Sequence, residues 1–140
     1  MAKLIEVRFH GRGGQGAKTA AQLLAETAMD AGMHIQAFPE YGPERSGAPM
    51  RAFTRISDEQ INLHSGVISP GIVVVIDPTI MEKEDVTEGL GDGGILIVNT
   101  EENPEAIRQK TKFKKGKVFT VNATQISLDT LGRPMPNTPM

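Results

Sequence analysis

Cysteine is absent from all 140 residues, and its absence excludes three chemistries. No disulfide can form, which fits a reducing cytoplasm. No thiolate-held iron–sulfur cluster or cysteine-type zinc site can sit on this chain. No thiol is available as a nucleophile. A basic excess is also lacking: 15 Lys and Arg stand against 17 Asp and Glu, for a net charge of -2. That balance argues against a nucleic-acid partner or a membrane-surface footprint. The longest apolar run, Gly71 to Ile76, is too short to span a bilayer. The opening MAKLIEVRFH is no secretory h-region, because Lys3, Glu6 and Arg8 interrupt it. No GxSxG elbow occurs. His10, His34 and His64 are scattered without ligand spacing and read as surface or half-buried residues.

What is present reads as one α/β domain over residues 1–140, with a hydrophobic content of 39%. Leu4 to Phe9 alternates apolar and charged residues and predicts a strand. Ala17 to Ala31 predicts a helix, with Ala17, Ala20, Ala21, Leu24, Ala28 and Ala31 on its apolar face and Gly32 just past its end. His34 to Phe38 reads as the next strand. Pro39 to Pro49 is too rich in proline and glycine for helix or strand. Met50 to Ile56 reads as a strand with Arg51 and Arg55 on a wet face. Ile72 to Ile76 and Gly94 to Asn99 read as strands buried on both faces, and Val118 to Val121 as another short one. A helix is expected to open near Ala123, and Asn137-Thr138-Pro139 resembles a further helix start. The expected fold is a mostly parallel, Rossmann-like open sheet with flanking helices and an antiparallel hairpin, its C-terminal helices missing.

Two loops carry the chemistry. Gly11-Arg12-Gly13-Gly14-Gln15-Gly16 satisfies GxGxxG between a strand and a helix. Glycines permit a sharp turn and close approach, and a helix N-terminus offers unpaired N–H groups to an anion. With Glu40 at the end of the second strand, a stand-alone NAD-binding domain is one reading. A P-loop is not, because Ala17 separates Gly16 from Lys18 and turns the lysine about 100° around the helix. The third reading is a purely structural turn, against which Arg12 and Gln15 present donors such a turn does not need. The second loop, Pro39 to Pro49 (PEYGPERSGAP), follows the second strand and is expected at the same carboxyl edge.

Together, FHGRGGQGAKTAAQLLAE, QAFPEYGPERSGAPMRAFTRISD, VVVIDPTIM and LGRPMPNTPM resemble the gamma subunits of 2-oxoacid:ferredoxin oxidoreductases along essentially the whole chain. The ERxGAP form with AFTRI after it resembles the pyruvate or branched-chain oxoacid branch, and Ser46-Gly47-Ala48 stands where the 2-oxoglutarate branch carries Arg-Gly-Gly. The resemblance implies a subunit of a pyruvate:ferredoxin oxidoreductase, with 2-oxoisovalerate as the alternative substrate. It implies alpha, beta and delta partners that hold thiamine pyrophosphate, Mg2+ and [4Fe-4S] clusters, with coenzyme A and ferredoxin as reactants. No cofactor is expected on this chain alone and no catalytic residue is assigned to it. Gly11, Arg12, Gly13, Gly14, Gln15 and Gly16 are the candidate contacts to a coenzyme A phosphate or a partner active site. Tyr41, Glu44 and Arg45 are the candidate interface residues.

Overall fold

A computed structural model describes residues 4–13, 16–39, 49–62, 67, 69–82, 84–91, 93–113, 116–123 and 126. Strand β1 (Leu4–Arg12) leads through helix α1 (Ala17–Asp30) to β2 (His34–Pro39) and β3 (Pro49–Ser57). β4 (Ile72–Val75) follows, then a 3-10 helix (Pro78–Glu82), β5 (Ile95–Asn99), α2 (Pro104–Thr111) and β6 (Lys117–Val121). The strands form one sheet in the order β2-β3-β1-β4-β5-β6. β1, β4, β5 and β6 are mutually parallel. β3 runs against both β1 and β2, so β2 points the same way as β1. The mostly parallel sheet and the hairpin are as the sequence predicts.

α1 lies on β1, β2 and β3, burying Ala17, Ala21 and Ala25. These three recur every four residues on one stripe, and alanines allow the helix to approach the sheet closely. Ala25, outside the expected apolar set, is buried, whereas Ala31 is exposed at the C-cap. Gly32 follows with φ 87°, the left-handed conformation glycine adopts without a steric penalty. Val7, Phe9, Ala52, Val74 and Ile76 pack with α1 into one core cluster. The second cluster lies on the other face, where Val73, Val75, Leu96 and Val98 meet Ile80, Val86, Ile107 and Phe113. β4 is thus buried on both sides, as its β-branched run predicts.

Four further expectations change. β1 extends through His10, Gly11 and Arg12, because β3 pairs with it to the end: Gly11 opposite Met50 and Arg12 opposite Pro49. Arg55 is not on a wet face but only 1% exposed, held by Glu6 Oε2 at 3.0 Å and Gln36 Oε1 at 2.7 Å, with its guanidinium 5.5 Å from the Phe38 ring centroid. His10 is fully buried rather than at the surface or half-buried. α2 has no counterpart among the expected elements, because Ile107 is its one buried residue in eight and leaves no 3.6-residue period. Its start carries local signals: Asn103 Oδ1 accepts from the Ala106 N–H at 2.9 Å, and Pro104 occupies the first turn. The expected helix after β6 is present at Ala123 and Ile126, where the Ile126 N–H donates to Asn122 O. The expected start at Asn137 to Pro139 lies outside the described residues.

Candidate functional site

The strand order places a topological switch between β1 and β4. The chain leaves β1 toward β2 by way of α1, and leaves β4 toward β5 on the opposite face. In open α/β sheets the crevice outside the carboxyl ends of such a strand pair is where ligands bind. Arg12 ends β1 here, and Asp77 follows β4. Ile76 N–H donates to His10 O at 2.8 Å, which carries the parallel pairing up to this edge.

Arg12, Asp77 and Thr79 are joined in one hydrogen-bonded network at the crevice. Arg12 Nε lies 3.2 Å from Asp77 Oδ2. Nε and Nη2 donate to Thr79 Oγ1 at 3.2 and 2.9 Å. The Thr79 hydroxyl spends its one proton on Asp77 Oδ1 at 2.6 Å, and the Thr79 backbone N–H reaches the same oxygen at 2.9 Å. The aspartate is therefore gripped by the first turn of the 3-10 helix through one oxygen and meets the guanidinium with the other. Such charge-assisted bonds are the stronger kind. The Arg12 side chain keeps about a quarter of its surface in solvent, 26%.

Four residues on, Gly16 caps α1 with φ 82° and no side-chain hydrogen bond to the first turn. A side chain at that φ would be strained, so glycine suits the turn that aims the α1 N-terminus at the same edge. The first-turn N–H groups and the helix dipole favour an anion there. Thr79 also lines a cleft of about 520 Å³ with Pro78, Met81, Glu82, Thr100, Glu102 and Lys110. Lys110 and Glu102 pair across it at 2.6 Å.

Below the crevice, on the face away from α1, β1 carries a buried polar row. Arg8 Nε donates to His10 Nε2 at 2.8 Å, and its Nη2 donates to the carbonyls of Val86 and Glu88. Because Nε2 accepts, His10 carries its proton on Nδ1, which is buried without a hydrogen-bond partner among the described residues, 3.9 Å from Glu84 Oε2. Burial, reinforced by the Arg8 and Arg51 guanidinium groups and opposed by Asp85, pushes His10 down to about 3.

Of the expected site residues, Gly11, Arg12, Gly13 and Gly16 are brought to this one edge. Gly14, Gln15, Glu40, Tyr41, Glu44 and Arg45 lie outside the described residues. The ends of the second loop are described: Pro39 closes β2 opposite Ala52, and Pro49 opens β3 opposite Arg12. The loop therefore leaves the sheet at the end of β2 and re-enters it beside Arg12, at the expected edge. The NAD reading is disfavoured by the same topology. β3 stands between β1 and β2, so the end of β2, where Glu40 follows, is displaced two strands from the glycine loop, about 10 Å at the usual strand spacing. Asp77 and Thr79 are the residues that spacing alone does not single out. Their signal is an Asp-Pro-Thr turn immediately after a buried parallel strand. Among the described residues no three His, Asp or Glu side chains converge to hold a metal, and no helix is long and apolar enough to cross a membrane.

The fold and this edge define an open α/β domain whose polar switch-point crevice lies where the ends of two loops meet the sheet. The chain belongs to the pyruvate ferredoxin/flavodoxin oxidoreductase family, whose model matches residues 6–140, and within it to the gamma-type subunits. It is 55% identical over 138 residues to pyruvate synthase subunit PorC of Thermotoga maritima, covering 99% of this chain and 71% of that protein. It is 53% identical over 135 residues to the pyruvate/ketoisovalerate oxidoreductases common subunit gamma of Thermococcus kodakarensis, covering 96% and 73%. The crystal structure of the Thermotoga maritima pyruvate oxidoreductase subunit PORC superposes with a TM-score of 0.87 at 52% identity, over 98% of this chain and 72% of that one. The identity is high enough to carry the family and the subunit type as well as the fold.

Proposed function

We propose that this chain is the gamma subunit of a complex that oxidatively decarboxylates pyruvate to acetyl-CoA and carbon dioxide, reversibly, with ferredoxin taking the electrons. Thiamine pyrophosphate, Mg2+ and [4Fe-4S] clusters reside on the alpha, beta and delta partners in this reading, since a chain without cysteine has no thiolate ligands to offer a cluster. The complex works in the cytoplasm. This chain, as one domain, packs by its carboxyl edge against the partner active site, with Tyr41, Glu44 and Arg45 among the interface contacts.

The observation that carries the reading is the convergence of Arg12, Gly13, the α1 N-terminus and both ends of the Pro39–Pro49 loop at one sheet edge. A guanidinium beside a helix N-terminus fits a phosphate group of coenzyme A. Gly11, Gly13, Gly14 and Gly16 would allow the close approach, and Arg12 and Gln15 would donate to the phosphate. 2-Oxoisovalerate is a second substrate reading, favoured by the relative that is common to pyruvate and ketoisovalerate oxidoreductases. A gamma chain shared between two oxoacids leaves substrate choice to other subunits.

Affinity-tagged chain recovered from its native host tests the assignment. It should copurify with thiamine-bearing chains and visible cluster absorbance, reduce ferredoxin with pyruvate and coenzyme A, and be colourless alone. Recovery of the tagged chain as a homo-oligomer with no cofactor-bearing partner would refute it.

A further inference from the structure

We infer that Asp77 and Thr79 are positioning residues that hold the Arg12 guanidinium in place for an anionic group at the β1–β4 crevice. The inference deepens the proposed function and rests on its reading of Arg12 as a ligand contact. Three observations support it. First, the three side chains meet across a sequence separation of 67 residues between Arg12 and Thr79, so they converge only through the β1–β4 pairing. Second, the hydrogen bonds have one consistent direction. Arg12 donates to the hydroxyl, the hydroxyl donates to Asp77 Oδ1, and the Thr79 backbone N–H anchors that oxygen. Thr79 thereby accepts from the arginine while donating to the carboxylate. A side chain without a hydroxyl cannot relay the order of the 3-10 helix to the guanidinium. Third, the Asp77 side chain is more buried than Arg12, 14% against 26% exposed, so the carboxylate is the fixed partner and the guanidinium the presented one.

A long arginine side chain is costly to order on binding, and a residue that orders it beforehand raises affinity without touching the ligand. The ligand class is a phosphate, which takes two N–H donors from a guanidinium held in a fixed orientation. Asp77 and Thr79 should therefore govern the Michaelis constant for the phosphate-bearing substrate far more than turnover.

The test uses the assembled complex with coenzyme A as the varied substrate. Arg12→Ala should raise the coenzyme A KM by about tenfold or more. Asp77→Asn and Thr79→Val should each raise it several-fold with kcat little changed, and Thr79→Ser should restore it. In the Arg12→Ala background, Asp77→Asn should add nothing. If Arg12→Ala leaves KM unchanged, the reading of Arg12 fails. If Arg12→Ala raises KM while Asp77→Asn and Thr79→Val do not, Arg12 binds without being positioned and the inference is overturned. A lower KM for Asp77→Asn would show that the carboxylate masks Arg12, which overturns it as well. Should Asp77→Asn prevent assembly, the Thr79→Val and Thr79→Ser pair decides the question alone.

Discussion

Arg8 and His10, two residues apart on β1, share a buried 2.8 Å hydrogen bond in which the guanidinium donates to imidazole Nε2. That direction holds only while the imidazole is neutral, because a protonated ring has no acceptor and repels the arginine. Folding therefore excludes the proton that the unfolded chain would bind below its ordinary value of 6.5.

A stability difference with pH follows. The folded value, about 3, lies below 6.5, so between those limits the unfolded chain binds more protons and stability falls as pH falls. The contribution of His10 is complete above 6.5 and shrinks by up to about 1.4 kcal/mol per pH unit below it. Urea unfolding at pH 7 and pH 5 should show the wild type losing about 2 kcal/mol more than His10→Gln. Equal losses in the two proteins would rule out His10 as the source.

The Glu6–Arg55 pair gives a second test. Glu6 Oε2 sits 3.0 Å from an arginine that is almost wholly buried. Removing one partner strands a buried charge, so Glu6→Ala should cost about 3 kcal/mol. Replacing both residues by Met should cost less than the sum of the single replacements. A double-mutant cycle measured by denaturant unfolding reads this coupling, and additivity would show that the two charges do not interact.

Asn99 at the end of β5 joins three segments. Its Nδ2 donates to Ile76 O at 2.9 Å, and its Oδ1 accepts from the Ala123 N–H at 2.9 Å. Asn99→Ala leaves two buried backbone groups unpaired, for a loss of roughly 2 to 4 kcal/mol. The same unfolding experiment checks it. A loss below about 0.5 kcal/mol would mean that these groups find other partners.

Gly116 precedes β6, where an added Cβ would meet Gly94 O at 2.0 Å and the Phe113 ring at 2.9 Å. The Gly94 carbonyl accepts from the Lys117 N–H, so Gly116→Ala must displace the bond that starts the strand. A loss of about 2 kcal/mol or more is expected. Gly91→Ala, which meets nothing within 4 Å, should stay within about 0.5 kcal/mol of wild type. Equal melting temperatures for the two variants would contradict this packing.

Much of this fold is legible along the chain because its signals are local. Ala17 and Ala21 stand at a helical interval, the run from Ile72 to Val75 suits a doubly buried strand, and Gly32 marks the end of α1. Legibility ends where burial depends on distant chain. The row of Glu6, Arg8, His10 and Arg12 alternates with apolar residues just as a solvated strand face does. Only the segment from Glu84 to Glu88 and the approach of β3 decide that Arg8, His10 and Arg55 are buried.

By itself, then, the sequence determined what this protein cannot hold and what it offers: no thiolate ligand, and two loops rich in glycine and proline, the first of them carrying an arginine. Tertiary structure alone decided that β3 inserts between β1 and β2, which moves the second loop's partner strand away from the glycine loop and disfavours a dinucleotide site. It also decided that Arg12 meets Asp77 and Thr79. The physical reason is the same in both cases. Strand order and side-chain convergence are set by pairing between segments dozens of residues apart, and a period of two or 3.6 residues carries no information at that range.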